Sequence, residues 1–307
     1  MKHHMSLSGL TRQSILLIAF VFLLTACSSA PKRSMQVSTV YSSAAEMIES
    51  ANACILSGEY EKAGFFLSAA ENQAMSIDNY DLLTAAALAR CSLALSYNPP
   101  DIETAQNYVG YAKGFVKNCA DPKKQQAVVT LSEVRVKVAE GNLSEGAGVN
   151  TGSLLSQLDD NRKAVKGDAY YEAQFTQVEG DIYKLAKNYA QADKAYTAAA
   201  KAFTDNRYLS EIGICWYKAA QVRSLAGNKE NALAAMEQAI YYDRAAENSL
   251  ALGTDYYATG LILTKGSATT SEKERAVAAF THSAEIFTAV KEDELAKRSR
   301  EAAEQYK

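Results

Sequence analysis

Three small residues, Gly180, Ala220 and Gly260, fall forty residues apart within the stretch from Glu172 to Phe287, and the sequence around the last two repeats with them. Ile212-Gly213, Trp216-Tyr217 and Ala220 correspond to Leu252-Gly253, Tyr256-Tyr257 and Gly260. A unit of this length cannot bury its own apolar face, so its copies have to stack into a solenoid with one continuous core. The repeat therefore constrains architecture first, and says nothing by itself about a partner.

Each unit reads as two helices. Ala44, Met47, Ile48, Ala51 and Ile55 recur at steps of three and four residues, as one helix face requires. Gly58-Glu59-Tyr60 breaks the pattern, and Ala63, Phe66, Leu67 and Ala70 begin it again, which makes a helical hairpin. Val128-Val129 with Val134, Val136 and Val138 is the one stretch that alternates as a strand would; the polar residues beside it also fit a helix surface, and it is read as helix. The glycines at 141, 146, 148 and 152 read as an irregular turn, because they lack the Gly-Lys-Ser/Thr ending of a phosphate-binding loop.

Compared with one another, the hairpins resemble the tetratricopeptide repeat (TPR). Gly180, Tyr183, Ala192, Tyr196 and Ala199 match its pattern best, followed by Trp216, Ala220, Gly227, Ala232 and Ala239, and by Ala51, Gly58, Tyr60, Ala63 and Ala70. The pattern is steric: helix axes approach to about 8 Å only where the crossing residues are small, with aromatic rings filling the wedges beside them. The second copy departs at Asn98-Pro99-Pro100, the third has Gly146 and Ser153 where the family has Ala, and the sixth carries an insertion around Ser267 to Thr270. The resemblance implies an all-α, right-handed TPR-like solenoid of about six hairpins, at about 43–77, 80–117, 125–158, 170–205, 208–244 and 248–290, with a capping helix at 292–306. It also implies a concave groove lined by the first helix of each hairpin. At positions i, i+4 and i+7 this expects Gln177, Asp181 and Lys184, then Tyr217, Gln221 and Ser224, then Tyr257, Leu261 and Thr264 to stand exposed for a protein partner. Some family members grip a C-terminal carboxylate with Lys, Asn and Arg; Asn52 stands at one such position, but Ile48 occupies the place of the first Lys, which speaks against that grip.

Residues 1–26 read as a cleaved export signal, with Lys2 and Arg12 before an apolar run from Ile15 to Leu24. Ten helical residues rise about 15 Å, too short for a hydrocarbon core of roughly 30 Å. The run ends Leu24-Thr25-Ala26-Cys27, which resembles the bacterial lipobox. That resemblance implies cleavage before Cys27 and its acylation there, and the absence of Asp after it implies outer-membrane sorting in a diderm bacterium. Residues 27–42, with Pro31, Lys32, Arg33 and several serines, read as a flexible tether. Losing Lys2 and Arg12 leaves 30 Lys and Arg against 35 Asp and Glu, a mildly acidic chain without a basic cluster. Nucleic acid is not an expected partner, and membrane attachment rests on lipid rather than charge.

Chemistry is sparse. Cys54, Cys91, Cys119 and Cys215 fit neither a CxxC nor a zinc spacing; a Cys54–Cys91 bridge is conceivable, but small buried residues in helix seams is the simpler reading. With His3 and His4 in the signal, His282 is the only histidine left, so Ser-His or Cys-His catalysis would have to run through it, and no metal site of histidines can be assembled. Acid pairs such as Asp159-Asp160 and Glu292-Asp293 sit at helix ends. No cofactor, metal or catalytic residue is expected. The reading is a non-enzymatic envelope scaffold, lipid-anchored and facing the periplasm, that binds envelope proteins through its groove. Its rivals are an accessory of a periplasmic solute transporter and, behind it, an envelope hydrolase.

Overall fold

The computed structural model describes residues 39–307, so the expected export signal, Cys27 and most of the expected tether lie outside the described residues. Thirteen α-helices follow, and among the described residues there is no strand. They are α1 (Thr39–Leu56), α2 (Tyr60–Ser76), α3 (Tyr80–Ser96), α4 (Ile102–Phe115), α5 (Pro122–Leu143), α6 (Thr151–Arg162) and α7 (Ala169–Leu185). The second half continues with α8 (Tyr189–Asp205), α9 (Leu209–Leu225), α10 (Lys229–Ala245), α11 (Ser249–Thr264), α12 (Thr270–Ala289) and α13 (Asp293–Tyr306). They pair as six hairpins with α13 as the cap, a TPR-like helical solenoid. The tether expected to reach residue 42 is already helical at Thr39, because Ala44, Ile48 and Ala51 bury one face and carry the turn before them into the helix.

Short turns set the geometry. Between α7 and α8, and between α9 and α10, one residue takes a left-handed conformation, Lys187 at φ 58° and Gly227 at φ 84°. The next residue, Asn188 or Asn228, accepts the first free backbone N–H with its side chain. These turns stand forty residues apart and reproduce the sequence period as a structural one.

The crossing points are where the repeat predicts them. A Cβ on Gly180 would lie 2.6 Å from the ring of Tyr196, and one on Gly260 would lie 2.5 Å from that of Phe280. Both rings are fully buried. Glycine is thus required by the approach of the second helix, with an aromatic ring closing the gap. The core runs along these seams, with Ala44, Ala51, Ala63 and Ala70 in the first hairpin and Ala192, Ala220, Ala232 and Ala239 in the fourth and fifth, all fully buried.

The valine stretch is helical. Val128, Val129, Val134, Val136 and Val138 are all buried in α5, which packs against α3, α4, α6 and α7 and so hides more than one face. A helix buried on several sides loses the period that marks an amphipathic one. Of the four glycines read as one irregular turn, Gly146 and Gly148, both at positive φ, lie in the turn between α5 and α6, whereas Gly141 is buried within α5 and Gly152 belongs to the first turn of α6. At the far end of the chain, a Cβ on Gly58, in the first hairpin's turn, would lie 2.7 Å from Leu250 at the start of α11. That contact brings the first and sixth hairpins together.

Candidate functional site

The first helices of five successive hairpins, α1, α3, α5, α7 and α9, line one cavity of about 640 Å³. No second helix contributes to it. The apolar part of its wall includes Ile48, Leu88, Val128 and Leu131, and the polar part is concentrated on α5, α7 and α9. A smaller pocket of about 190 Å³ lies against α9 and α11, lined by Tyr217, Gln221, Ser224, Leu261 and Lys265 among others.

The expected groove residues divide between these spaces. Gln177, Asp181 and Lys184 line the large cavity; Tyr217, Gln221, Ser224 and Leu261 line the small pocket. Gln221 joins the two, since its side-chain oxygen accepts a hydrogen bond from Lys184. Gln177 is not exposed as expected: it is 5% accessible, because the flanking helices close over the middle of α7. Tyr257 and Thr264 line neither space. The Tyr257 ring packs on Phe280, and its hydroxyl accepts from Arg298 of the cap. The Thr264 hydroxyl donates to the Gly260 carbonyl of its own helix. Asn52 does line the large cavity.

Several lining residues were not anticipated: Arg135 and Gln174, and Glu211 and Lys218 on α9. The rule of i, i+4 and i+7, carried along the forty-residue repeat, led from Asp181 to Gln221. In space Asp181 faces Lys218, and Lys184 faces Gln221, each 37 residues on. Neighbouring first helices are staggered by about one turn, a rotation and slide that a sequence repeat does not contain. An acid-to-base spacing of 37 was the available signal.

The electrostatics of the wall follow from these pairs. Asp181 accepts from Lys218 Nζ at 2.8 Å and from the Tyr196 hydroxyl at 2.8 Å, so the core tyrosine and the cavity share one carboxylate. Burial, with the charge of Asp181 beside it, pushes the Tyr196 phenol far above its ordinary range. Burial pushes the Tyr170 phenol up to about 12, helped by Glu211. Lys184 is shifted the other way: burial lowers its ammonium from the ordinary value, and the nearby Asp181 only partly offsets this.

Catalytic geometry is not assembled around His282. Its Nδ1 lies 3.2 Å from Glu285 Oε2 and its ring stands edge-on to Tyr256 at the surface. The adjacent Ser283 hydroxyl is buried and donates to the Gly253 carbonyl instead. The four described cysteines are free and buried, which favours seam residues over a Cys54–Cys91 bridge. Burial raises Cys91 to about 11 and Cys215 to about 12, so neither is a thiolate nucleophile near neutrality. Among the described residues no group of three or more His, Cys, Asp or Glu could hold a metal ion, and no helix is long and apolar enough to cross a membrane.

No family model matches the sequence, and no curated protein matches it. Among solved structures, a Rap protein complexed with competence and sporulation factor is similar with a TM-score of 0.53 at 12% identity, over 86% of this chain and 77% of that one. A signal transduction ATPase with numerous domains, which carries a tetratricopeptide repeat sensor and comes from Pyrococcus horikoshii, gives 0.50 at 16% identity. It covers 85% of this chain and 42% of its own. The apo form of RapI gives 0.48 at 13% identity, over 86% and 97% respectively. At such identities the first two establish likeness of fold: helical repeats of the tetratricopeptide kind.

Proposed function

We propose that this chain is a bacterial envelope adaptor, tethered to a membrane through acylated Cys27, which holds a segment of a partner protein in the cavity formed by its first helices. The observation that carries the reading is the cavity itself. Five consecutive hairpins contribute to one continuous lining of mixed apolar and polar character, which suits an extended chain segment better than a single small group. The similar Rap protein was solved in complex with a factor, which is compatible with a helical-repeat scaffold of this kind holding a partner. The lipobox-like ending at Cys27 supports the tether, with two or more acyl chains giving stable anchoring where one gives only marginal binding. The absence of Asp after Cys27 favours the outer membrane.

The test is site-specific photo-crosslinking in cells. A photoreactive amino acid replaces Asn52 or Asn142, exposed residues lining the cavity, or Tyr111, exposed on the second helix α4 and outside it. Defined adducts from the first two positions and none from Tyr111 are expected. Adducts confined to Tyr111 would move the interface off the cavity. A second reading, an accessory that encloses a transported solute, draws on the cavity's volume, which lies within the roughly 300–1,000 Å³ of small-molecule sites. It would be favoured by a solute-dependent rise in melting temperature with no crosslinked protein.

A further inference from the structure

We infer that the cavity selects a peptide segment carrying acidic side chains, received by Arg135 and Lys184. This rests on the cavity being a partner site and names the chemistry of what enters it. Three cations, Arg135, Lys184 and Lys218, and two carboxylates, Asp181 and Glu211, line its wall. They are not equivalent. Lys218 is paired with Asp181, and Glu211 lies against the Tyr170 phenol, a neutral partner that leaves its charge unbalanced, so three cations against two carboxylates leave the wall with one net positive charge. Arg135 and Lys184 instead donate to neutral carboxamide oxygens, those of Gln174 and Gln221, and neither enters an ion pair among the described residues.

A carboxamide oxygen satisfies a donor but does not balance its charge. A carboxylate arriving at either place makes a charge-assisted hydrogen bond, roughly twice as strong as the neutral one it replaces. The lowered basicity of Lys184 has the same origin, a cation held out of water without full compensation. Nucleic acid is a poorer fit, because it asks for a row of cations, whereas this wall offers two cations outside any ion pair, set among apolar side chains and two carboxylates.

Spacing sharpens the inference. Gln174, which marks the position of Arg135, and Lys184 are ten residues apart on α7, a rise of about 15 Å. An extended peptide advances about 3.3 Å per residue, so two acidic side chains four or five residues apart reach both places. The Asp181–Lys218 pair between them is neutral overall, and apolar residues such as Leu88 and Leu131 line the wall.

The experiment uses the purified lipidated chain in detergent and three fluorescent ten-residue peptide pools. The pools are randomised except at positions 3 and 7, which are both Glu, both Gln or both Lys. The Glu pool should bind about tenfold more tightly than the Gln pool, with the Lys pool weakest, and the difference should shrink in high salt. Arg135→Gln with Lys184→Gln should abolish the discrimination while helix content by circular dichroism stays unchanged. Asn52→Trp with Asn142→Trp, which fills the cavity from exposed positions, should abolish binding of every pool. If the Glu and Gln pools bind equally and the tryptophans block both, the acidic preference is wrong and the cavity reading stands. If a pool binds despite the tryptophans, or none binds at all, the cavity reading fails and takes this inference with it.

Discussion

Asp243 of α10 and Asp255 of α11 meet in the seam between the two helices, each only 1% exposed and each acting on the other's titration, and each keeps one oxygen without a partner. Gly213 of α9 makes room for them: a Cβ there would lie 2.3 Å from Asp243 Oδ1. On α9, the Tyr217 phenol is raised by burial and by the Asp255 charge. Burial drives both carboxyls above the ordinary carboxylate range, and Asp255 is also opposed by its neighbour's charge.

Raised carboxyl pKa values make the folded state bind more protons than the unfolded one. The stability they permit is full below the ordinary carboxylate range near pH 4 and is lost as pH rises above that range through the pair's raised titration. The melting temperature should therefore fall by at least about 5 °C between pH 5 and pH 8. Asp255→Asn should flatten that slope, because an amide does not titrate. Parallel slopes for the two proteins would show that the pair does not govern the pH response.

Gly180→Ala places a methyl against the buried ring of Tyr196 and should cost about 2 kcal/mol. Gly110→Ala, in the interior of α4 with nothing within 4 Å of the new Cβ, should be neutral or gain up to about 1 kcal/mol. A loss of stability for Gly180→Ala and none for Gly110→Ala in urea unfolding is the check. A mild effect at Gly180 would mean that the crossing can relax.

Glu247 holds φ at 55° in the exposed turn between α10 and α11, where a residue with a Cβ is strained. Glu247→Gly should stabilise by about 1 kcal/mol, read as a rise in melting temperature of about 2 °C.

Cys27→Ser should move the protein from the membrane pellet to the soluble fraction, with the solenoid still folded. Retention in the pellet after a carbonate wash would rule out acyl anchoring as the main attachment.

The hairpins were legible because their information is local. Gly58, Ala63 and Ala70 mark a turn and a helix face within a dozen residues, and Gly180, Ala220 and Gly260 mark crossings by size alone. The site was legible only in part. Asp181 and Lys184 were found on the face that lines the cavity, whereas Arg135 sits in α5, the helix least like the family pattern and the one buried on several sides. Gln177 carries a polar side chain at a position that neighbouring helices cover, and nothing in its own sequence context reports them.

The sequence by itself determined the number of hairpins and the places where their helices touch. The tertiary structure alone decided which side chains meet: Lys218 with Asp181, Lys184 with Gln221, Asp243 with Asp255. Small residues fix how closely two helices approach. The slide and rotation of one helix against the next come from packing along the whole seam, and a single residue step turns a side chain by about 100°. Which charges are paired is settled at that level.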